Sequence, residues 1–480
     1  MLKMDVERYA RQLDVVDVFE SVYKKYEYSF ILQSSKVVPG FSRYSMTGAS
    51  IGKHMSVLKS NVADGYTEEI RADGAKVFNQ NIFELLKEKM TKFQSNFEHD
   101  ALPFNSGYLG FFGYEALNLT AGVKCHTSPN DDVMMMMPTS FVVVDHLVGD
   151  SYFCTIHTDG MGVCDVMPAA DEILSAVSSD LKAAQVERLQ IDEVYRYLTE
   201  NAKLNFGKQQ YIDAIDTCKS YIKSGDSYEI CLSNKVEFFN EIDTWQVYKL
   251  LSATSPAPHS SYIKTPDTRI ASASPERFLS IDKCGLIEAK PIKGTMPRGA
   301  TLEEDEAIKE ALRNSQKDIA ENLMIVDLMR NDISKCCHGA TVAVPKLFDI
   351  ESYSHYHQMV STVQGMINIP PVDAFFHLFP GGSMTGAPKV RTLEIIDEIE
   401  SSWRGVYSGA IGYFAFNGAA DFSIVIRSLT ENQGKCSIGV GGAITYLSDN
   451  QSEFEETLIK LTPLISAIKA CVGEKSTVAA

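Results

Sequence analysis

Hydrophobic residues in the first part of the chain come in short runs separated by polar breaks, a pattern that indicates strands rather than helices. Runs such as YSFILQSS, SGYLGFFGYEAL and SFVVVDHLVGDSYFCTIHT lie within residues 1–180. The four methionines Met134–Met137 precede a proline and a β-branched run. We therefore predict that they form a core strand and not a metal site.

Helical spacing is clearest in the second half of the chain. Thr301 and Glu304 have the spacing of a capping box, which predicts a helix start that leads, with or without a break, into a helix over 318–330. Near the C-terminus, apolar residues recur every three or four positions and predict a buried stripe of Phe454, Leu458, Leu461, Ile465 and Ile468. Glu453, Glu456 and Lys460 fall on a neighbouring face, where a solvated ion pair is the simplest interpretation.

The region from about Ala169 to Asn205 is predicted to be helical and charged, without a Gly/Pro-rich linker, so we expect a packed connection. After it, strands and helices alternate without a simple repeat. An α+β fold built on large, mostly antiparallel sheets fits this mixture best.

Charge limits the kinds of partner. The 480 residues contain 45 Lys and Arg against 62 Asp and Glu, a formal net charge of −17, while 45% are hydrophobic. Such an acidic globular protein is a poor match for nucleic acid or an anionic membrane. An anionic substrate therefore needs a local cationic pocket or a bound metal.

Ten cysteines are scattered along the chain without metal-ligand spacing, and Cys336 and Cys337 are adjacent. We expect reduced thiols in a cytoplasmic protein. The N-terminal residues mix acids and bases and lack the apolar run of a signal peptide.

Several acids could carry chemistry. Glu276 follows an apolar strand, where a half-buried carboxyl with a raised pKa could act as a general acid; a surface position is the alternative. Glu321 and Glu456 would together offer hard oxygen ligands suited to Mg2+, unless they are unrelated surface acids.

Two glycine-rich segments could bind carboxylates. Residues 380–391 form a turn that contains Ser383 and Thr385 and runs into a helix, and its backbone N–H groups favour an anion. Gly439, Gly441 and Gly442 form a second loop. Together with Arg427 and Lys460, these loops predict a carboxylate-binding pocket, although a lone glycine loop is usually only a turn.

Several long motifs occur in order: SPERFL, PIKGTMPRG, KDIAENLMIVDLMRND, FPGGSMTGAPKVRTLEIIDEIE, YSGAIGYF and GVGGAI. They resemble the chorismate-utilising enzymes, which comprise anthranilate, aminodeoxychorismate, isochorismate and salicylate synthases. The resemblance covers Phe206 to Ala467, and a weaker one covers FILQSS and SGYLGFFGYEAL. It implies a two-lobed α+β fold, a β-sandwich with flanking helices, in which an N-terminal region (1–180) accompanies a chorismate-binding catalytic domain (206–470).

The resemblance also implies roles for individual residues. Glu321 and Glu456 match the ligands of a Mg2+ that bridges to the ring carboxylate of chorismate, with Glu453 close by. Glu276 matches the general acid that helps the C4 hydroxyl to leave. The positions that hold the substrate carboxylates correspond to Arg427, Tyr407, Lys460 and the amides of Gly441 and Gly442.

Lys293 favours the aminodeoxychorismate synthases, because they read P-I-K-G-T where anthranilate synthases typically read P-I-A-G-T. In the former, the lysine amine attacks ring carbon C2 as the C4 hydroxyl departs, and ammonia then adds at C4. This chemistry requires a neutral amine, so we expect the site to depress the pKa of Lys293 by burial or neighbouring cations. A purely structural lysine is the alternative.

Three other positions bear on the choice within the family. Isochorismate and salicylate synthases have a lysine where this chain has Glu229, so water is disfavoured as the nucleophile. Gln358 stands where anthranilate synthases usually have a histidine, and His357 precedes it, with a structural role as the safer interpretation. Tyr407 is anthranilate-like and does not separate the branches.

No glutaminase motif with a nucleophile elbow occurs in the chain. We therefore expect ammonia from a separate glutamine amidotransferase subunit, and 4-amino-4-deoxychorismate, a precursor of p-aminobenzoate and folate, as the product. Anthranilate synthase component I is the alternative. A non-catalytic, amino-acid-binding regulatory subunit is the alternative from another class. Ser34 lies where the family forms a tryptophan pocket and is predicted to contact an amino acid there.

Overall fold

The computed structural model of the protein describes residues 2–38, 41–93, 102–158, 186–352 and 356–477. Its strands are β1 (Leu2–Tyr9), β2 (Ser29–Gln33), β3 (Tyr44–Ala49), β4 (Ser56–Ser60), β5 (Thr67–Arg71), β6 (Gly74–Phe78), β7 (Gly107–Phe112), β8 (Val133–Met136), β9 (Ser140–Asp145), β10 (Asp150–Thr158), β11 (Ala202–Leu204), β12 (Glu229–Phe238), β13 (His259–Lys264), β14 (Thr268–Ser274), β15 (Arg277–Ile281), β16 (Leu286–Ala289), β17 (Ile292–Pro297), β18 (Ala343–Ser352), β19 (Tyr356–Met366), β20 (Gly386–Ala387), β21 (Ala410–Ala415), β22 (Ala420–Ile424), β23 (Ser428–Asn432) and β24 (Lys435–Ile444).

The α-helices of the same ranges alternate with these strands. They are α1 (Val15–Val18), α2 (Ile82–Phe93), α3 (Leu117–Thr120), α4 (Ile191–Asn201), α5 (Lys208–Ser224), α6 (Thr244–Thr254), α7 (Leu302–Arg313), α8 (Gln316–Ser334), α9 (Pro371–Leu378), α10 (Lys389–Glu400) and α11 (Asn450–Thr477).

Two antiparallel sheets of twelve strands each make up the described β-structure. The first has the order β1-β10-β9-β3-β2-β13-β14-β23-β24-β12-β11, with β20 beside β12. The second has the order β17-β19-β16-β15-β22-β21-β7-β8-β4-β5-β6, with β18 beside β19. Both sheets combine strands from before residue 159 with strands from after residue 201. The division into a region 1–180 and a domain 206–470 stays a prediction.

The sheets face each other across an apolar layer. Phe30 and Phe141 of the first sheet and Phe111 of the second are almost fully buried there. Helices cover the outer faces: α4, α5, α6 and α11 pack on the first sheet, whereas α2, α8 and α9 pack on the second. Amphipathic helices bury their apolar stripes in this way on sheet faces that would otherwise meet water. The predicted α+β fold with large antiparallel sheets is confirmed.

Most local predictions hold. Met134–Met137 are buried in and just after β8, and the stripe of Phe454, Leu458, Leu461, Ile465 and Ile468 is buried on α11. Thr301 caps α7 by accepting from Glu304 N, but the Glu304 carboxylate accepts from Ala300 N, one residue before the expected partner. A break at Asn314 and Ser315 separates α7 from α8.

The predicted helix over 169–205 is only partly right. Residues 169–185 lie outside the described residues, α4 covers Ile191–Asn201, and the chain then enters β11. No disulfide joins the nine cysteines of the described ranges. Within these ranges no helix is long and apolar enough to cross a bilayer.

Candidate active site

A cavity of about 750 Å³ lies between the second sheet at β17, the first sheet at β24, and helices α8 and α11. Most of the predicted site residues border it: Glu276, Lys293, Glu321, Ser383, Tyr407, Arg427, Gly441, Gly442, Glu453, Glu456 and Lys460. Residues far apart in sequence therefore meet in one place, as the predicted carboxylate pocket requires. Ser34 and Thr385 lie elsewhere.

Lys293 reaches the cavity through an irregularity of β17. The register of β17 against β19 shifts between Ile292 and Thr295, so Lys293 and Gly294 lie in a bulge. Gly294 has a φ of 81°, and a Cβ there would come within 2.8 Å of Asp318 Cγ on α8. Bulges commonly redirect a side chain beside an active site. Here the bulge turns Lys293 inward, while only glycine fits next to it.

The Lys293 ammonium is paired with an acid. Its Nζ lies 2.8 Å from Glu229 Oε1 at the start of β12, and the Glu229 side chain is 2% exposed. Burial opposes the charged form of Lys293, but the charge and hydrogen bond of Glu229 outweigh it, so the pKa of Lys293 is raised. The expectation of a depressed pKa is therefore wrong, because the nearest ionised group is an anion rather than a cation.

Glu276 lies between β14 and β15, at the end of a buried strand as expected. Its carboxyl hydrogen-bonds with Ser383, and burial raises its pKa although Ser383, Lys293, Lys460 and Arg427 oppose the shift. A carboxyl with a raised pKa keeps its proton closer to neutral pH. Glu276 therefore has the electrostatics of a proton donor.

Three further predicted carboxylates, Glu321, Glu453 and Glu456, border the cavity from two helices. Burial raises the pKa of Glu321 on α8 and of Glu453 on α11, and Ser448 donates to Glu453 at 2.7 Å. Burial would also raise the pKa of Glu456, but Lys460, 2.8 Å away, lowers it. The predicted ion pair between Glu456 and Lys460 is confirmed. Among the described residues, no group of three or more His, Cys, Asp or Glu is clustered closely enough to hold a metal by itself.

The cavity also offers donors for anions. Lys460 Nζ donates to Gly441 O at 2.9 Å, and a Cβ on Gly442 would lie 3.3 Å from a Glu453 oxygen. Glycine thus keeps the space between Glu453 and Lys460 open. Arg427 borders the cavity and has a φ of 52°. Gly439 leaves room for the Tyr407 ring, since a Cβ would come within 2.1 Å of it.

The loop over 380–388 contributes Ser383 but not Thr385 to the cavity wall. Thr385 is fully buried, and its hydroxyl donates to the carbonyls of Gly381 and Gly382. Its own carbonyl accepts from Cys231 N of β12 at 2.8 Å. Thr385 therefore lies behind the loop and ties it to β12, so its predicted contact with substrate has no support from this geometry.

His357 and Gln358 face opposite ways on β19. His357 is fully buried and bonds to Asp305 at 2.9 Å and Ser352 at 2.8 Å. Asp305 also accepts from Arg298, which follows β17. The safer interpretation of His357 as a structural histidine agrees with these contacts. Gln358 borders the cavity and donates to Thr295 at 3.3 Å.

Ser34 borders a different cavity of about 420 Å³ between the two sheets. Its hydroxyl donates to Tyr44 O at 2.9 Å, and its N–H donates to the Ser45 hydroxyl. The Arg277–Asp421 pair closes another side of this cavity. An amino acid bound next to Ser34 stays a prediction.

Sequence reasoning missed Glu229 as the partner of Lys293 and used it only to distinguish branches of the family. Lys317, Asp318 and Cys231 also border the cavity unpredicted. One signal was available in the sequence: the carboxylate of Glu229 directly precedes the apolar residues Ile230 and Cys231. Such an acid is costly to bury unless it is paired.

Comparisons with known proteins identify the family of the chain. A model of the chorismate binding enzyme family matches residues 46–466. The aminodeoxychorismate synthase of Streptomyces griseus is 39% identical over 456 residues, which make up 94% of this chain and 62% of that protein. The chain thus spans less than two thirds of the length of that relative.

Anthranilate synthases are also similar. The anthranilate synthase component 1 of Acetivibrio thermocellus is 32% identical over 464 residues, 94% of this chain and 92% of that protein. The crystal structure of anthranilate synthase component I from Streptococcus pneumoniae TIGR4 matches with a TM-score of 0.70 at 23% identity, covering 95% of this chain and all of that one. The structural match establishes the fold.

Proposed function

Because the chain belongs to the chorismate binding enzyme family, we propose that it aminates chorismate at C4 with ammonia to give 4-amino-4-deoxychorismate. The observation that carries the proposal is the Lys293 amine, which a β-bulge turns into a cavity that Glu276 also borders. The similarity to the aminodeoxychorismate synthase of Streptomyces griseus supports the same reaction.

The cavity wall suggests how a dianion is held. Arg427, Lys460 and the backbone amides near Gly441 and Gly442 offer donors to the two carboxylates of chorismate. Tyr407 and Ser383 also border the cavity. The ring would then lie between Lys293 and Glu276, which the reaction requires for attack at C2 and departure of the C4 hydroxyl.

The charge balance of the cavity favours a bound cation. Besides Glu276, the proposed proton donor, four acids border it (Asp318, Glu321, Glu453 and Glu456) against four bases (Lys293, Lys317, Arg427 and Lys460). A dianionic substrate would therefore leave the cavity with an excess of negative charge. Mg2+ needs only one or two protein carboxylates when substrate oxygens and water complete its shell, so a preformed cluster of three acids is not required.

Glu321 and Glu456 are the residues that would hold Mg2+, with Glu453 close by. Bound there, Mg2+ would neutralise the ring carboxylate and fix its orientation. The chain's own residues then carry the reaction. The neutral Lys293 amine attacks C2 while Glu276 protonates the departing C4 hydroxyl, and ammonia subsequently adds at C4 as the C2–N bond breaks.

Ammonia would come from a glutamine amidotransferase subunit in a heterodimer. The support is that the similar protein of Acetivibrio thermocellus is named component 1 of anthranilate synthase. The p-aminobenzoate and folate route and a cytoplasmic location stay predictions of the same proposal.

Product identification tests the function. The purified protein with chorismate, Mg2+ and ammonium should form a compound with the mass of 4-amino-4-deoxychorismate, which an added lyase converts to p-aminobenzoate. Fluorescent anthranilate as the main product would contradict the proposal and favour anthranilate synthase. A protein that consumes no chorismate but binds an amino acid next to Ser34 would favour the regulatory subunit.

A further inference from the structure

The Lys293–Glu229 pair contains an incompletely bonded acid. Glu229 Oε1 accepts from Lys293 Nζ at 2.8 Å, while Glu229 Oε2 is buried and has no hydrogen-bond partner within the described residues. A buried carboxylate oxygen without a partner is costly. Glu229 is therefore a candidate for a role in which its carboxylate accepts a proton.

The resting pair cannot itself begin the proposed reaction. An ammonium has no lone pair, and Glu229 holds Lys293 in that form. The proton on Nζ must therefore leave before a C–N bond can form. In the described ranges, Glu229 is the acceptor that is hydrogen-bonded to this nitrogen, so the transfer needs no rearrangement.

We infer that Glu229 is a further catalytic residue, the general base that takes the proton from Lys293. The inference rests on the proposed function. Transfer converts the ammonium and carboxylate into an amine and a carboxylic acid, and a neutral pair is favoured when substrate excludes water from the cavity.

The protons and electrons balance through both steps. In the first, the Lys293 lone pair forms the C2–N bond, the two ring double bonds shift, and the C4–O bond breaks as Glu276 supplies the proton that makes water. In the second, ammonia bonds to C4, the double bonds shift back and the C2–N bond breaks. Lys293 then recovers its proton from Glu229, while the proton released by ammonium restores Glu276.

Other charged groups influence the pair but do not replace Glu229. Glu321 on α8 adds to the attraction for the Lys293 proton, and the lysine charge in turn acts on Glu276 and on Glu456 of α11. Cys231 lies two residues from Glu229 on β12, and burial raises the pKa of its thiol. A neutral thiol is a poor acceptor for the proton.

Glu229→Gln separates a base from a simple charge partner. If Glu229 is the base, ammonium-dependent formation of the aminated product at pH 7 should fall by about 10²- to 10⁴-fold. Its remaining activity should rise with pH, as hydroxide takes over the deprotonation. If Glu229 only holds the charge of Lys293, removing it releases more neutral amine, and the rate should stay the same or increase.

Two further variants serve as controls. Glu229→Asp keeps a carboxylate and should recover part of the rate, which keeps the test valid if the glutamine variant folds poorly. Glu237→Gln changes an acid on the same strand whose ion-pair partner is Lys235, outside the cavity, and should match the wild type.

The outcomes can be told apart. An active wild type with an equally active or faster Glu229→Gln variant would overturn the role of Glu229 and leave the proposed function intact. A slow Glu229→Gln variant that lacks the rise with pH would also overturn it. A wild type that forms no aminated product would count against the proposed function itself, and the role of Glu229 would fall with it.

Discussion

Two buried ion pairs, Arg404–Glu400 and Lys293–Glu229, contact strand β12 within a few residues of each other. They differ in the number of hydrogen bonds that each pair makes. In the Arg404–Glu400 pair the side chains are 3% and 5% exposed. Arg404 donates to both oxygens of Glu400, to the carbonyls of Cys231 and Met384, and to Ser408. In the Lys293–Glu229 pair, one hydrogen bond joins the partners and one acid oxygen is left over.

The difference indicates different roles. Every charged atom of the Arg404–Glu400 pair has a partner, and Glu400 also accepts from Ser233 N, so the pair fixes β12 to the loop over 380–388. Moving a proton there would break several bonds at once. In the other pair, Lys293 borders the cavity, and a proton can pass to Glu229 at the loss of one ionic bond. We expect the first pair to support stability and the second to support catalysis.

Replacing the lysine should have the largest effect. Lys293→Ala removes the proposed nucleophile, so formation of 4-amino-4-deoxychorismate is expected to fall by about 10⁴-fold or more. A steady-state assay with saturating chorismate and ammonium measures this loss. A shift of residual product toward ortho amination would support the role of the lysine, whereas an unchanged rate would show that the pair is not catalytic.

Breaking the other pair should cost stability. Arg404→Met leaves the Glu400 carboxylate buried without its cation, and the free energy of unfolding should fall by about 3–5 kcal/mol. Denaturant titration measures the change. The double variant Arg404→Met with Glu400→Met should lose less than the single variant. A loss below about 1 kcal/mol, the size found for exposed pairs, would contradict the structural role.

The activity should depend on pH through the protonation of Glu276. Burial raises the pKa of Glu276, so its carboxyl stays protonated to a higher pH than an ordinary glutamic acid, and activity should decline as pH rises through that pKa. Glu276→Gln should lower kcat by about 10²-fold and remove this decline. Retention of the same declining limb in the variant would assign it to another group.

The effect expected behind the Arg404–Glu400 pair is smaller when it is counted per pH unit. Glu115 accepts from the N–H groups of Arg404 and Gly405, and burial raises its pKa to about 8 from 4.5. Between pH 4.5 and about 8, Glu115 therefore keeps its proton in the folded protein but is ionised in the unfolded chain. Stability should therefore fall as pH rises through this window, by at most about 1.4 kcal/mol per pH unit.

Glu115→Gln should reduce this slope, as measured by urea unfolding at a series of pH values. Burial also raises the pKa of Asp132, to about 6, and Asp132 should leave a residual slope of the same sign in the variant. Identical slopes in the variant and the wild type would exclude Glu115 as the source.

Local patterns predicted the features that depend on neighbours in sequence. The buried stripe on α11 and the methionine strand β8 follow from spacing, because each element needs one apolar face. The position of Glu276 at the cavity was also predictable, since this residue follows an apolar strand closely. These features require no knowledge of which strands pair.

Features that depend on long-range packing were not predictable in the same way. Glu229 and Lys293 are 64 residues apart and meet because β12 and β17 belong to different sheets that border one cavity. The pKa of Lys293 is raised rather than depressed because of this contact with Glu229. Thr385 was expected at the substrate because of its loop, but the direction of its side chain depends on contacts with Gly381 and Gly382.

The proposed covalent role of Lys293 is tested most directly by mass mapping of the quenched enzyme. Wild-type protein mixed with chorismate and Mg2+ but no ammonium, then quenched in acid and digested, should yield the peptide containing Lys293 with the added mass of chorismate less one water. The modification should disappear when ammonium is added before the quench. An unmodified Lys293 peptide from an enzyme that turns over normally with ammonium would contradict the account.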